Sequence, residues 1–474
     1  MLFNSFIFFI FLGIVLPIFY ALPNKKSKNV FLVIASYFFY GYWDWQFCSL
    51  LAISTVIDFF IGQKLFNTSN ERKRNLLLSI SIISNLGILG LFKYFNFFVD
   101  SFQSLSEDIG WNLDFLHLNI LLPVGISFYT FQTLSYTIDI YRKRLEPTNN
   151  FIDFALFVSF FPQLVAGPIE RAKLLLPQLS KKLNPSKDQI KQGVTLIIIG
   201  LFRKVMIGDT AGRFVDNIFG NLGDYKSVEI IVGLILFSIQ IYADFSGYSH
   251  MARGTAKLLG IELMKNFEQP YLSRNITEFW RRWHISLSSW LKDYLYISLG
   301  GNRKSVIRTY INLMITMLLG GLWHGASWNF VIWGGLHGLY LSFHKLILGK
   351  KKIKPDKISK FNFYDIINIV VTYILVLFTW IFFRSTSWDT TKLFFSKISS
   401  WEASENTFLF ISIAVSYLLI TIIIDLFEYL SDSHTALLNI KSNGIKIGIL
   451  TALLLVTFIY MFQAEPLPFI YFQF

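Results

Sequence analysis

Two histidines in this chain stand directly after tryptophans and could move a proton. His324 lies in LLGGLWHGASWNFVIWGGLHG (residues 318–338) and His284 in WRRWHISLSSW (residues 280–290). The surroundings of His324 are the most apolar of any histidine in the sequence. An ionisable group at membrane depth is costly and tends to mark a pathway or a reaction centre. Desolvation keeps such an imidazole neutral and able to accept a proton near neutral pH, which suits a general base in acyl transfer. Gly320, Gly321 and Gly325 flank the Trp323–His324 pair. They would allow close backbone approach, a ligand tunnel or a break between two helices. They could equally serve helix packing alone, around a hydrogen-bonded core histidine. The residues by themselves leave both readings open.

His284 has two readings as well. Its spacing among Trp280, Trp283 and Trp290 favours an interfacial histidine within a membrane-anchoring aromatic group. The functional alternative is a second catalytic histidine or a contact to the acyl donor. Arg281 and Arg282 would then be available for phosphates of a carrier such as coenzyme A.

The remaining titratable groups carry less chemistry. His337 and His344 share a helical face but lack a carboxylate or cysteine companion at ligand spacing, so no metal site is expected. His117 and His434 fall in polar stretches and read as solvated. Asp139 and Asp244 are the main carboxylates within apolar runs; an ion pair, with Arg142 in the case of Asp139, is the favoured reading. One cysteine, Cys48, excludes an internal disulfide. The chain has no G-x-S-x-G elbow, no H-E-x-x-H and no phosphate-binding G-x-x-x-x-G-K-[ST] loop.

What must position these residues is a membrane-embedded set of helices. Of 474 residues, 53% are hydrophobic and only 15% charged, with a mean hydropathy of +0.49. Soluble domains carry nearer a quarter charged residues, so a soluble fold is excluded. The net charge of +13 does not indicate nucleic-acid binding, because the cations lie in short clusters between apolar runs. They are Lys25-Lys26-Lys28, Arg72-Lys73-Arg74, Arg142-Lys143-Arg144, residues 171–191, Arg281-Arg282, residues 350–360 and residues 441–446. The positive-inside rule places such clusters in the cytoplasm. The acidic segments, Glu107-Asp108-Asp114 and Glu402 with Glu405, fall between them and can be outside.

Spans are expected at residues 1–22, a pair within 29–66, then 76–99, 118–141, 190–208, 228–247, 309–325, 327–347, 364–383, 407–426 and 447–463. The total is about twelve, each close to the length needed to cross the hydrocarbon. Both termini are then outside, and the first span is not a cleaved signal peptide. Residues 151–168, broken by Pro162 and Pro168, read as re-entrant or interfacial. Residues 266–303 mix charged and aromatic residues, and are expected to lie amphipathically on the cytoplasmic face. The chain reads as one polytopic membrane domain, residues 1–474, without a transporter's inverted repeats.

Several blocks in one order resemble the membrane-bound O-acyltransferase (MBOAT) family, in its alginate and peptidoglycan O-acetylation branch. They are residues 276–303 and 318–338, with LLPVGISFYTFQTLSYTIDIYR (121–142), SFFPQLVAGPIER (159–171) and PFIYFQF (468–474). The strong resemblance covers residues 120–345. It implies an all-α multi-span bundle around a central tunnel, in a bacterial inner membrane. The family's embedded catalytic histidine falls on His324 and its second functional histidine on His284. The resemblance also implies a cytoplasmic acetyl donor, acetyl-CoA, as substrate rather than resident cofactor. The acetyl group would pass to an extracytoplasmic partner acetyltransferase and a polysaccharide acceptor. His250 and Ala243 depart from the branch, which tends to Asp and Phe there. The alternatives are other acyl transfers of the family, D-alanyl to teichoic acid or acylation of lysophospholipid, and a non-catalytic polysaccharide export channel.

Overall fold

The computed structural model describes residues 1–111, 116–118, 121–165, 167–349 and 361–472. Asp114, the basic residues 350–360 and the last two residues of the PFIYFQF block lie outside the described residues. Among the described residues every regular element is helical, and each segment expected to span carries a helix. Seven of these are long and apolar enough to cross a bilayer.

The chain divides into two compact units. The first comprises residues 1–193 and 255–264. It contains α1 (Phe6–Ala21), α2 (Lys25–Gly41), α3 (Phe47–Asn67) and α4 (Glu71–Leu89), the last running through a π turn into α5 (Phe95–Asp108). Then come α6 (Ile126–Tyr141), α7 (Phe151–Ser159), α8 (Phe161–Leu164) and α9 (Ala172–Leu179). Residues 151–164 thus form two short helices broken at Phe160, and nearly all of them are buried. Asp58 of α3 is fully buried. Its carboxylate accepts from Ser81 Oγ at 2.6 Å and Asn85 Nδ2 at 2.7 Å, joining α3 to α4. A carboxyl group taken out of water needs such donors.

The second unit comprises residues 194–254 and 265–474. It begins within α10 (Lys187–Phe202), passes a π turn at Arg203–Asp209, and continues through α11 (Thr210–Gly220) and α12 (Ser227–Leu258). Two short helices, α13 (Ile276–Arg282) and α14 (Ile285–Trp290), precede the pair α15 (Val306–His324) and α16 (Trp328–Leu348). The last four are α17 (Phe363–Arg384), α18 (Trp388–Ser400), α19 (Thr407–Ser431) and α20 (Asn443–Gln463). Of the long apolar helices, α12 is the most enclosed, whereas α19 and α20 leave most of their side chains uncovered. Two largely apolar helices with bare flanks are stable only against lipid; the carboxylates of α19, Asp425 and Glu428, are buried and paired with Arg203.

The pairing of α15 with α16 explains much of the glycine pattern. A Cβ on Gly321 would collide with the Phe330 carbonyl oxygen, and one on Gly334 with that of Met317. Small residues therefore let the two backbones touch. Gly325, extended at φ −159°, ends α15 immediately after His324. Packing and a helix break, set out as alternatives in the sequence, are both present.

Candidate active site

His284 owes its place to an unusual backbone. Asn275 caps α13 by accepting from Glu278 N, and α13 stops at Arg282. Trp283 is extended, and His284 adopts the left-handed conformation at φ 42°, ψ 55° before α14 begins. A non-glycine residue is uncommon in this region, and its cost of about 1–3 kcal/mol must be carried by the surroundings. The segment after α12 supplies that support. Asn266 O accepts from Ile285 N at 2.8 Å, Asn266 Oδ1 accepts from Ser286 Oγ at 2.6 Å, and Glu268 N donates to Arg282 O at 3.0 Å.

The turn drives His284 inward until it is 0% exposed, with Trp283 equally covered. This corrects the interfacial expectation. Trp283, Trp290 and Tyr294 are consumed by packing inside the protein, whereas Trp280 and Tyr296 are half-buried and Arg281 and Lys292 are exposed. Neither ring nitrogen of His284 has a hydrogen-bond partner among the described residues. An unsatisfied buried polar group costs about 1–3 kcal/mol. Burial also pushes the pKa of His284 down to about 3, so the ring is neutral.

His324, at 3% exposure, ends α15 within a cage of rings. Its centroid lies 5.0 Å from Trp333, 5.3 Å from Phe383 and 5.3 Å from Tyr471. His284 stands 6.0 Å from Trp323 and 6.4 Å from Tyr471, while Trp323 is 5.0 Å from His324. The two histidines, far apart in sequence, therefore share Trp323 and Tyr471 as neighbours. Phe245 of α12 closes the His284 side at 4.6 Å. The Tyr471 hydroxyl is buried and has no hydrogen-bond partner among the described residues. Sequence inspection noted the terminal block but gave Tyr471 no role; the one available signal was a phenol between apolar residues after Pro468.

The other histidines separate cleanly from these two. His337 Nδ1 accepts from Trp280 Nε1 at 3.2 Å, so its proton sits on Nε2, 3.1 Å from Thr379 Oγ1. Both nitrogens are used, which makes His337 a structural residue. His344 Nδ1 is 2.8 Å from Thr277 Oγ1. His434, expected to be solvated, is buried instead, with Nδ1 2.9 Å from Arg253 Nη1 and 3.1 Å from His250 Nε2. His117 is exposed, 3.5 Å from Asp100. Among the described residues no three His, Cys, Asp or Glu side chains gather as metal ligands would.

Arg281 and Arg282 have different fates. Arg282 is held by Glu278 Oε1 at 2.7 Å and the Glu268 carbonyl. Arg281 lines a cavity of about 660 Å³ together with Lys292 and Lys345. Ile285, Leu291, Met317 and Leu341 form apolar walls, and Trp280 lines it too. Trp280 packs 5.8 Å from Trp333, which in turn touches His324. A space with cations at one part and apolar walls at another fits an anionic molecule bearing an apolar arm.

Residues 142–388 match the model of the MBOAT, membrane-bound O-acyltransferase family. The chain is 41% identical to the probable alginate O-acetylase AlgI of Pseudomonas aeruginosa, over 85% of this chain and 76% of that protein. It is 37% identical to the peptidoglycan O-acetyltransferase of Helicobacter pylori, over 77% and 73%. A more distant relative is the teichoic acid D-alanyltransferase of Bacillus subtilis, 26% identical over 55% and 68%.

Proposed function

The chain belongs to the membrane-bound O-acyltransferase family, and from that premise we propose that it moves an acetyl group from cytoplasmic acetyl-CoA towards O-acetylation of an exported or cell-surface polysaccharide. It is a multi-pass membrane O-acetyltransferase. Donor, direction and acceptor are the parts proposed. The observation that carries the reading is the pair of buried histidines meeting around Trp323 and Tyr471.

His324 is the general base. Its neutral imidazole takes the proton of an acceptor hydroxyl, on a sugar or on a partner's serine, as the oxygen attacks the thioester carbonyl. The new C–O bond forms, the C–S bond breaks, and the proton passes from the imidazole to the leaving thiolate. His284, neutral and with no ring hydrogen bond among the described residues, offers its ring N–H to the carbonyl oxygen as negative charge develops there. The Tyr471 hydroxyl is placed to hydrogen-bond the same reacting groups. The surrounding rings exclude water, which strengthens each of these contacts and suppresses hydrolysis of the thioester.

The donor enters by the 660 Å³ cavity, with its phosphates on Arg281, Lys292 and Lys345 and its pantetheine arm along the apolar wall. Arg282, already paired, supports α13 instead. Clusters of Lys and Arg between spans support a cytoplasmic side for this face and both termini outside. An extracytoplasmic partner acetyltransferase would receive the group. Relatives of the D-alanyl type match at lower identity and coverage, so acetyl is the favoured acyl group, and the chain's membership of an acyltransferase family leaves no ground for a non-catalytic export channel.

The test is His324→Ala, with O-acetyl groups on the surface polysaccharide measured beside protein level. Unchanged acetylation at normal protein level would overturn the assignment. Purified protein should turn over labelled acetyl-CoA, and failure to do so in the presence of acceptor would remove the proposed donor.

A further inference from the structure

Tyr471 reaches the histidines only because the segment bearing it is tied down. Residues 468–472 follow α20 and have little regular structure of their own, yet Phe469 is 0% and Ile470 2% exposed. The tie is polar. The Ile470 amide donates to Asp244 Oδ2 at 2.8 Å, and the other oxygen of Asp244 forms an ion pair with Lys204 at 2.9 Å. Lys204 also bonds Asp209 at 2.6 Å and the Pro468 carbonyl at 3.4 Å.

The elements are built for this contact. Lys204 and Asp209 lie one π-helical turn apart within Arg203–Asp209, so they point the same way and meet. A Cβ on Gly200 would stand 2.6 Å from the Gly247 carbonyl oxygen, and one on Gly208 3.0 Å from Asp244 N. Glycine at these two places lets the π turn press against α12, where Asp244 sits. The cost is high, since Lys204 is 0% exposed and a buried charge is tolerated only when paired. Asp244 thus accepts from both the Lys204 ammonium and the amide of Ile470.

We propose that Lys204 and Asp244 form a latch holding the C-terminal segment in the catalytic chamber, so that both act on acyl transfer as positioning residues through Tyr471. This rests on the assignment of the His284–His324 chamber as the active site. Asp244 fixes the amide one residue before Tyr471.

The latch can be read without reference to catalysis. In a chain carrying Cys48→Ser and Ile470→Cys, the sole thiol marks the segment, and its maleimide labelling rate in detergent reports release. Asp244→Leu should raise that rate at least about tenfold, the scale of losing a hydrogen bond to a charged acceptor. In the otherwise natural chain it should lower acetyl transfer by a comparable factor. Asp244→Asn keeps one oxygen acceptor but not the charge, and should fall between in both measurements. It decides the matter if the leucine variant does not accumulate. Unchanged labelling in the asparagine variant with reduced transfer would overturn the latch, as would a released segment with full transfer. His324→Ala should abolish transfer and leave labelling unaltered. Surviving transfer there would sink the active-site assignment, while the labelling result would still judge the latch.

Discussion

The ring of Tyr471 lies 5.3 Å from that of His324 and 6.4 Å from that of His284, so the end of the chain completes a chamber formed by its middle. Both histidine rings thereby neighbour a tyrosine whose buried hydroxyl has no hydrogen-bond partner among the described residues.

Removing that hydroxyl separates function from stability. Tyr471→Phe keeps the ring packing and deletes a buried polar atom with no partner among the described residues, a change that is neutral or mildly stabilising. The melting temperature should hold or rise, while the acetyl-transfer rate falls by roughly ten- to a thousandfold, as when one transition-state donor is lost. A parallel loss of both would mark Tyr471 as a packing residue.

Arg281 and Arg282 should give opposite phenotypes. Arg281→Ala removes a cation from the cavity wall, so KM for the donor should rise several-fold. Arg282→Ala breaks its pair with the buried Glu278 and should lower stability by about 1–3 kcal/mol with donor KM near normal. Steady-state kinetics beside thermal unfolding in detergent distinguishes them; equal effects on KM would contradict the division.

Acid should expose His284. Its pKa is held near 3 by burial, whereas an unfolded histidine titrates near 6.5. Between these values the unfolded state binds more protons, so stability rises with pH across that window and this contribution is fully present above pH 6.5. As pH falls from 6.5 towards 4.5, the natural protein should lose melting temperature more steeply than His284→Gln. Identical slopes would mean that the ring is solvated.

Gly334→Ala tests the α15–α16 contact. Its Cβ would meet the Met317 carbonyl oxygen, and a backbone neighbour cannot yield, so a loss of about 1–3 kcal/mol is expected. Gly335→Ala meets only a leucine methyl at 3.4 Å and should be tolerated. Comparable folded yields for the two variants, measured by size-exclusion chromatography, would refute the close contact.

Membrane character, the helical segments and the burial of His324 were all legible in the sequence, because hydropathy is local and a histidine stands out against an apolar run. The blocks around His284 and His324 likewise pointed to acyl transfer. Tertiary structure decided the rest. His284 looked interfacial because its neighbours are aromatic, and only a left-handed backbone held by Asn266 turns it inward. His434, in a polar stretch, is buried because His250 and Arg253 bond it. Arg281 and Arg282 are adjacent and chemically identical, yet Glu278 takes one and leaves the other on the cavity. Tyr471 had no visible role because its partners His324 and His284 lie well over a hundred residues earlier in the chain. Periodicity and composition report what a residue prefers nearby; which groups meet across the fold is set by long-range packing, through pairs such as Lys204 and Asp244 that local sequence does not encode.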